Sequence, residues 1–275
     1  MVHAPPPSGR YEDPAGGFFA QQSSSKSMVE VIVIVVAIGV ILAAIFFGLD
    51  PMADAVARNL PRAVDAKLGE LGAAAFRAQY ALATKPSTTT VARVERVFHE
   101  VLAALPDEDR ALVETATIAV VQTDDENAFA LPNGQVFVLT GLLAREGFDD
   151  DTLRGVVGHE LGHVVRRHSV RQLVRSHVLA LSLAFFFSSF ENLEALIVGE
   201  AATLGSRAFS RADEEEADDY AIGILRRTGG SVEGMARFFE GGVDAELGPL
   251  SFWSTHPEGK ARAARLRAKA GETPR

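Results

Sequence analysis

The chain has 275 residues, 47% of them hydrophobic, a formal net charge of −9 and no cysteine. An acidic balance of this size argues against a nucleic-acid partner, because such binders are as a rule basic. The lack of cysteine excludes disulfides, thiolate nucleophiles and cysteine-ligated zinc, and leaves the redox compartment unmarked.

Residues 1–27 are rich in Pro, Gly, Ser and Gln and read as a disordered tail. Residues 28–49 read as a transmembrane anchor. Within them, residues 31–49 form an uncharged run of 19 apolar residues, long enough to cross a hydrocarbon core of roughly 30 Å as a helix. The run is longer than a signal-peptide core, starts late and lacks a small-residue exit before Asp50. It is therefore expected to stay uncleaved, as a single-pass contact with membrane lipid. The basic residues on its two sides (Arg10 and Lys26; Arg58, Arg62 and Lys67) do not decide orientation. The expectation adopted is that the domain after the anchor lies outside the cytoplasm.

Residues 50–89 read as a helical linker or N-terminal helices, Ala-rich up to residue 83 and broken by the PSTTT of residues 86–90. Residues 91–105 resume a helical period with Val94, Val97, Phe98, Val101 and Leu102 on one face. The period then changes to that of strands over residues 117–123 and 135–140, separated by NAFALPNG. Asp149, Asp150 and Asp151 suit the positive end of a helix, and the pattern from Thr152 is helical almost to the C-terminus. A second apolar run, 178–190, is short for a membrane crossing and is expected to be a buried core helix. The fold class is α+β, a small sheet beside a mainly helical core.

Residues 158–163 read Gly-His-Glu-Leu-Gly-His inside the helical pattern. On a helix His159 and His163 lie about 40° apart and Glu160 about 100° from His159, so all three can face one cleft. Two imidazoles one turn apart suit a single zinc ion, and Glu160 is placed to hold a water and take its proton. Such a zinc needs a third protein ligand. Glu214 and Asp218, one turn apart in an acidic run, are the candidates. One would bind the metal and the other would orient a ligand histidine. Spacing alone does not exclude Glu216.

Taken together, NAFALPNG, QVFVLTGLL, GVVGHELGHVVRRHS, FSRADEEEAD and STHPEGKARAARL resemble metallopeptidase family 48, the group of HtpX-like, BepA-like and Oma-type quality-control proteases and CAAX prenyl endopeptidases. The resemblance covers roughly residues 90–268. It implies a zinc metallopeptidase domain over residues 90–270, a gluzincin holding one Zn2+ per chain. His159, His163 and Glu214 would be the metal ligands, Glu160 the catalytic base and Asp218 a histidine-orienting residue. Asn127, Ala128, Phe129 and Ala130 would border the substrate cleft. His256 would take a catalytic role, either stabilising the tetrahedral intermediate or capping the metal in a closed state. The family often has two glycines after the proline where this chain has Asn133-Gly134, and Asn tolerates the same positive-φ turn. A single confident span favours the BepA-like or Oma-type members.

The implied function is a membrane-anchored zinc endopeptidase acting on unfolded or membrane-associated polypeptide in quality control. The alternative is a tethered chaperone or binding module on the same fold that cleaves little. His168 is expected at the surface or in a layer behind the ligands. Two basic stripes, Arg167, Arg171 and Arg175, and Arg262, Arg265 and Lys269, are expected to be solvated or paired with the acidic segments rather than bound to lipid.

Overall fold

The computed structural model describes residues 28–36, 54–55, 57–81, 83–187, 208–241, 251–256 and 259–271, with the side chains of 178–187 outside that description. The chain divides into two units, residues 1–50 and 51–275. In the first, residues 28–36 are helical and their apolar side chains are more than half exposed. The tail expected over residues 1–27 and most of the expected anchor, 37–49, lie outside the described residues. Among the described residues no helix is long and apolar enough to cross a membrane.

The second unit is mainly helical around a small sheet. Helices α1 (Arg62–Gln79) and α2 (Thr88–Ala103) are followed by the short α3 (Asp107–Arg110). Ser87 caps α2, accepting from the amide of Thr90, and Val94, Val97, Phe98 and Val101 form its buried face. Strands β1 (Thr117–Val121), β2 (Ala128–Ala130) and β3 (Gln135–Leu139) come next. They are ordered β1-β3-β2, with β1 parallel and β2 antiparallel to β3.

Strand β2 is not visible in the period-2 pattern, being only three residues long. It forms because Pro132-Asn133-Gly134 turns the chain back, with Gly134 at φ 83° and its amide donating to the carbonyl of Leu131. The left-handed position of this turn falls on Gly134, and Asn133 keeps an ordinary φ, so the asparagine there carries no backbone penalty. Strands β1 and β3 end at Val121 and Leu139, short of Thr123 and Thr140. The hydroxyl of Thr140 instead closes the strand ends, donating to the carbonyl and accepting from the amide of Thr123, and Thr140 opens α4 (Thr140–Leu143).

Alternation along β3 divides the interior. Val136 and Val138 face the main core, while Phe137 and Leu139 face a second cluster with Leu68 of α1 and Phe129 of β2. The central element is α5 (Asp150–Val165), capped by Asp149, which accepts from the amide of Thr152. It packs against α2, β2, α7 (Arg211–Thr228) and α8 (Val232–Gly241). Between α5 and α7 runs α6 (His168–Phe187), so residues 178–187 are helical, but whether their side chains are buried lies outside the described residues. The short α9 (Phe252–Thr255) and α10 (Gly259–Ala270) close the described chain.

Candidate metal centre

The functional side chains meet where α5 and α7 touch. Two glycines of the motif allow the approach. A Cβ on Gly158 would lie 3.3 Å from Ile224 Cβ, and one on Gly162 would lie 3.1 Å from Tyr220 Cβ and 3.2 Å from Ala217 Cα. With those contacts left open, the first two turns of α7 lie against the histidine face of α5. Ser210 caps α7 by accepting from the amide of Asp213, which sets the rotation of Glu214 and Asp218.

His159, His163, Glu214 and His256 are all buried, and each offers a ligand atom within 4.8 Å of the others. The Nε2 atoms of His159 and His163 are 2.9 Å apart. Glu214 Oε2 lies 3.4 Å from His159 Nε2, and Oε1 lies 3.6 Å from His163 Nε2. Burial opposes charge on Glu214, but His256, Arg262 and His159 outweigh it and hold the carboxyl well below its ordinary range. Desolvation, then the neighbouring His159, holds His163 well below its ordinary value, so its ring is a neutral donor.

Each motif histidine is backed from behind. His159 Nδ1 lies 3.1 Å from Asp218 Oδ1, a carboxylate placed to accept from an N–H there and leave Nε2 facing the cluster. His163 Nδ1 lies 2.8 Å from His168 Nδ1, and His168 Nε2 lies 3.0 Å from Glu216 Oε2. His168 is thus a fully buried residue behind the cluster. Glu216 is half exposed and outside the four-residue group, so geometry separates it from Glu214 where spacing could not.

Arg262 was not singled out for the site by its sequence pattern. Its buried guanidinium donates from Nε to Asp218 Oδ2 at 3.0 Å, lies 2.6 Å from Glu214 Oε2, and sits on the Phe239 ring with Cζ 3.9 Å from the centroid. The Glu214 contact lacks hydrogen-bonding geometry, and Oε2 has no hydrogen-bond partner in the structure. Arg265 also pairs with Asp218, and Lys269 with Asp219. In the other basic stripe, Arg167 pairs with Asp65, Arg171 with Asp54 and Glu216, and Arg175 with Asp213. Both stripes therefore serve to pair acidic residues.

Glu160 is buried beside the cluster. Its Oε2 accepts from the amide of Ala130 at 2.9 Å, on the edge of β2 away from β3. Its Oε1 lies 3.3 Å from His256 Nε2 but has no hydrogen-bond partner. Of the expected cleft residues, Asn127, Ala128 and Phe129 are buried and only Ala130 is partly open. His256 Nδ1 lies 2.8 Å from Glu214 Oε1 and 3.2 Å from His159 Nε2. Burial disfavours charge on His256, but the carboxylates of Glu214 and Glu160 raise its pKa to about 9. Positive charge is what this point of the site favours.

The donor set fits a divalent metal of the zinc type: imidazole nitrogens and one carboxylate converging on a point, the two motif imidazoles backed by Asp218 and His168, with two carboxylate oxygens lacking a hydrogen bond. The structure thus forms a His-rich metal-binding site that includes Glu214.

Comparison with known proteins agrees. The chain is 34% identical to the metalloprotease YcaL of Escherichia coli over 155 residues, 54% of this chain and 59% of that one. It is 32% identical to the mitochondrial metalloendopeptidase OMA1 of Bos taurus over 164 residues, 54% of this chain and 31% of that one. It is 30% identical to the beta-barrel assembly-enhancing protease of Escherichia coli over 166 residues, 56% of this chain and 34% of that one. The matched segment spans less than two thirds of each of these relatives. The sequence profile of peptidase family M48 matches residues 88–270, which carry every residue of the cluster, and the chain belongs to that family.

Proposed function

We propose that the protein is a membrane-anchored, zinc-dependent endopeptidase acting on unfolded or membrane-associated polypeptide. The observation that carries the reading is the convergence of His159, His163 and Glu214 on one point with Glu160 beside it. One Zn2+ per chain, held by those three side chains, would supply a lowered water pKa and a polarised scissile carbonyl.

The remaining chemistry belongs to the chain. Glu160 takes the proton of the attacking water and returns it to the leaving amine nitrogen. Asp218 and His168 hold the imidazoles in the ligating tautomer. The free edge of β2 orients an extended peptide by main-chain hydrogen bonds, with residues Asn127–Ala130 as the cleft wall. Because the amide of Ala130 is held by Glu160, substrate must displace that bond to pair there. The position of His256 against both His159 and Glu214 supports the capping role over stabilisation of the intermediate. On this reading the ring withdraws before catalysis.

The anchor reading rests on the uncharged run of residues 31–49 and on the exposed apolar helix over residues 28–36. The catalytic domain lies on the outer side of that membrane, and quality control is the role that the family resemblance implies. Retention of the full chain in membranes through carbonate extraction supports the anchor, and release removes it. Casein cleavage by the full chain should stop with a chelator and return with zinc. Glu160→Gln should keep the metal and lose most turnover, at least about 100-fold. Cleavage that survives both treatments removes the mechanism. Suppressed casein aggregation without cleavage would favour the chaperone alternative.

A further inference from the structure

Away from the metal, a cleft of about 450 Å³ opens between the segment before α1 and the junction of α5 with α6. Five arginines line it: Arg58, Arg62, Arg166, Arg167 and Arg171. The chain as a whole is acidic, at −9, so this concentration runs against its composition.

The five are not equivalent. Arg167 forms the floor and is fully engaged. It takes a left-handed φ of 57°, and its guanidinium holds Asp65 and the carbonyls of Ala57 and Leu60. Such a backbone conformation is disfavoured in a non-glycine residue, so the junction is fixed by tertiary contacts. Arg171 is spent on Asp54 and Glu216, the carboxylates that line the cleft among the described residues.

The other three are exposed and loosely held. Arg62 comes no nearer than 3.9 Å to Asp65. Arg166 lies 5.9 Å from the centroid of the Tyr220 ring. Arg58 makes no hydrogen bond or ion pair among the described residues. Desolvation, and behind it the like charge of Arg167, lowers the Arg62 guanidinium against the pull of Asp65. Three exposed arginines lining one cleft, with no hydrogen-bonded counter-ion among the described residues, match an oxyanion with several acceptor oxygens, which arginine grips by paired N–H donors.

We propose that this arginine cleft binds a phosphate group, carried by an anionic lipid headgroup or by a free phosphate ester. The volume lies within the roughly 300–1,000 Å³ of small-molecule sites and exceeds what bare phosphate needs. Arg58 follows the apolar run by nine residues, a stretch of at most about 30 Å, so a headgroup at the membrane surface is within reach. The site itself stands on the cleft alone, and only the lipid source rests on the anchor reading. Glu216 ties the cleft to the metal centre, because the same carboxylate oxygen meets Arg171 and His168, which backs His163.

The test uses the full zinc-loaded chain in neutral detergent micelles. Inorganic phosphate, glycerol 3-phosphate and a short-chain phosphatidylglycerol are titrated by calorimetry, with short-chain phosphatidylcholine as control. Wild type is compared with Arg166→Gln and with the triple variant Arg58→Gln, Arg62→Gln, Arg166→Gln. All three side chains are exposed and outside the catalytic machinery, so casein cleavage without added anion should be unchanged. Saturable binding is expected in wild type, weakened at least tenfold in the triple variant and less in the single one. Binding of the two soluble phosphates with that dependence identifies a free phosphate ester as sufficient. Binding of phosphatidylglycerol alone identifies the headgroup. Equal binding by wild type and the triple variant would place phosphate elsewhere, for example on the metal, and overturn the proposal. So would a wild type that binds none of the three. Loss of casein cleavage in wild type would bear on the peptidase reading and leave these binding results standing.

Discussion

His168 stands directly behind His163, Nδ1 to Nδ1 at 2.8 Å, and passes the contact on to Glu216 through its other nitrogen. The pairing gives His163 the orienting partner that Asp218 gives His159. Removing such a partner typically costs about 10- to 100-fold in metal affinity or activity. His168→Ala should therefore fold, bind zinc about 10-fold or more weakly by chelator competition, and lose turnover in proportion to metal lost. Unchanged zinc affinity would reduce His168 to a packing residue.

Glu214 lies in the four-residue cluster and Glu216 outside it. Glu214→Ala should strip most of the zinc measured per chain. Glu216→Ala should leave the stoichiometry near one and weaken affinity only through His168, about 10-fold at most. The reverse pattern would mean that the register of α7 against α5 is wrong.

Asp218 answers His159, Arg262 and Arg265 from within the core, whereas Asp219 meets Lys269 at the surface. Asp218→Asn keeps the volume and removes the charge. It should weaken zinc binding and also destabilise the fold, since breaking a buried ion pair costs about 3–5 kcal/mol. Asp219→Asn removes the same charge from an exposed pair worth about 0–1 kcal/mol. Comparison of zinc content and thermal midpoint checks both. Greater damage from Asp219→Asn would remove Asp218 from its orienting role.

Local chemistry was legible in the chain itself. His159, Glu160 and His163 are tied to one face by the helical repeat, and Glu214 and Asp218 by the same repeat in another helix. Asp149, read as opening a helix, caps it through a bond only three residues away. The apolar period of α2 and the alternation of β3 likewise reflect local geometry set against one core.

What the sequence by itself determined was which atoms could be donors, because residue type and helical spacing fix that without reference to the rest of the chain. The tertiary structure alone decided which of them converge. His168 is off the face of His163 in a continuous helix, and it comes behind that ring because α5 ends at Val165 and the chain turns through a left-handed Arg167. That turn is held by Asp65, over 100 residues away in sequence. Arg262 reads as one member of a basic stripe until α10 packs beside α7 and buries it between Glu214 and Asp218. Strand β2 is too short to show a period and exists only because β3 is there to pair with it. In each case the deciding interaction links residues distant in sequence, and a periodic pattern carries no record of such a partner.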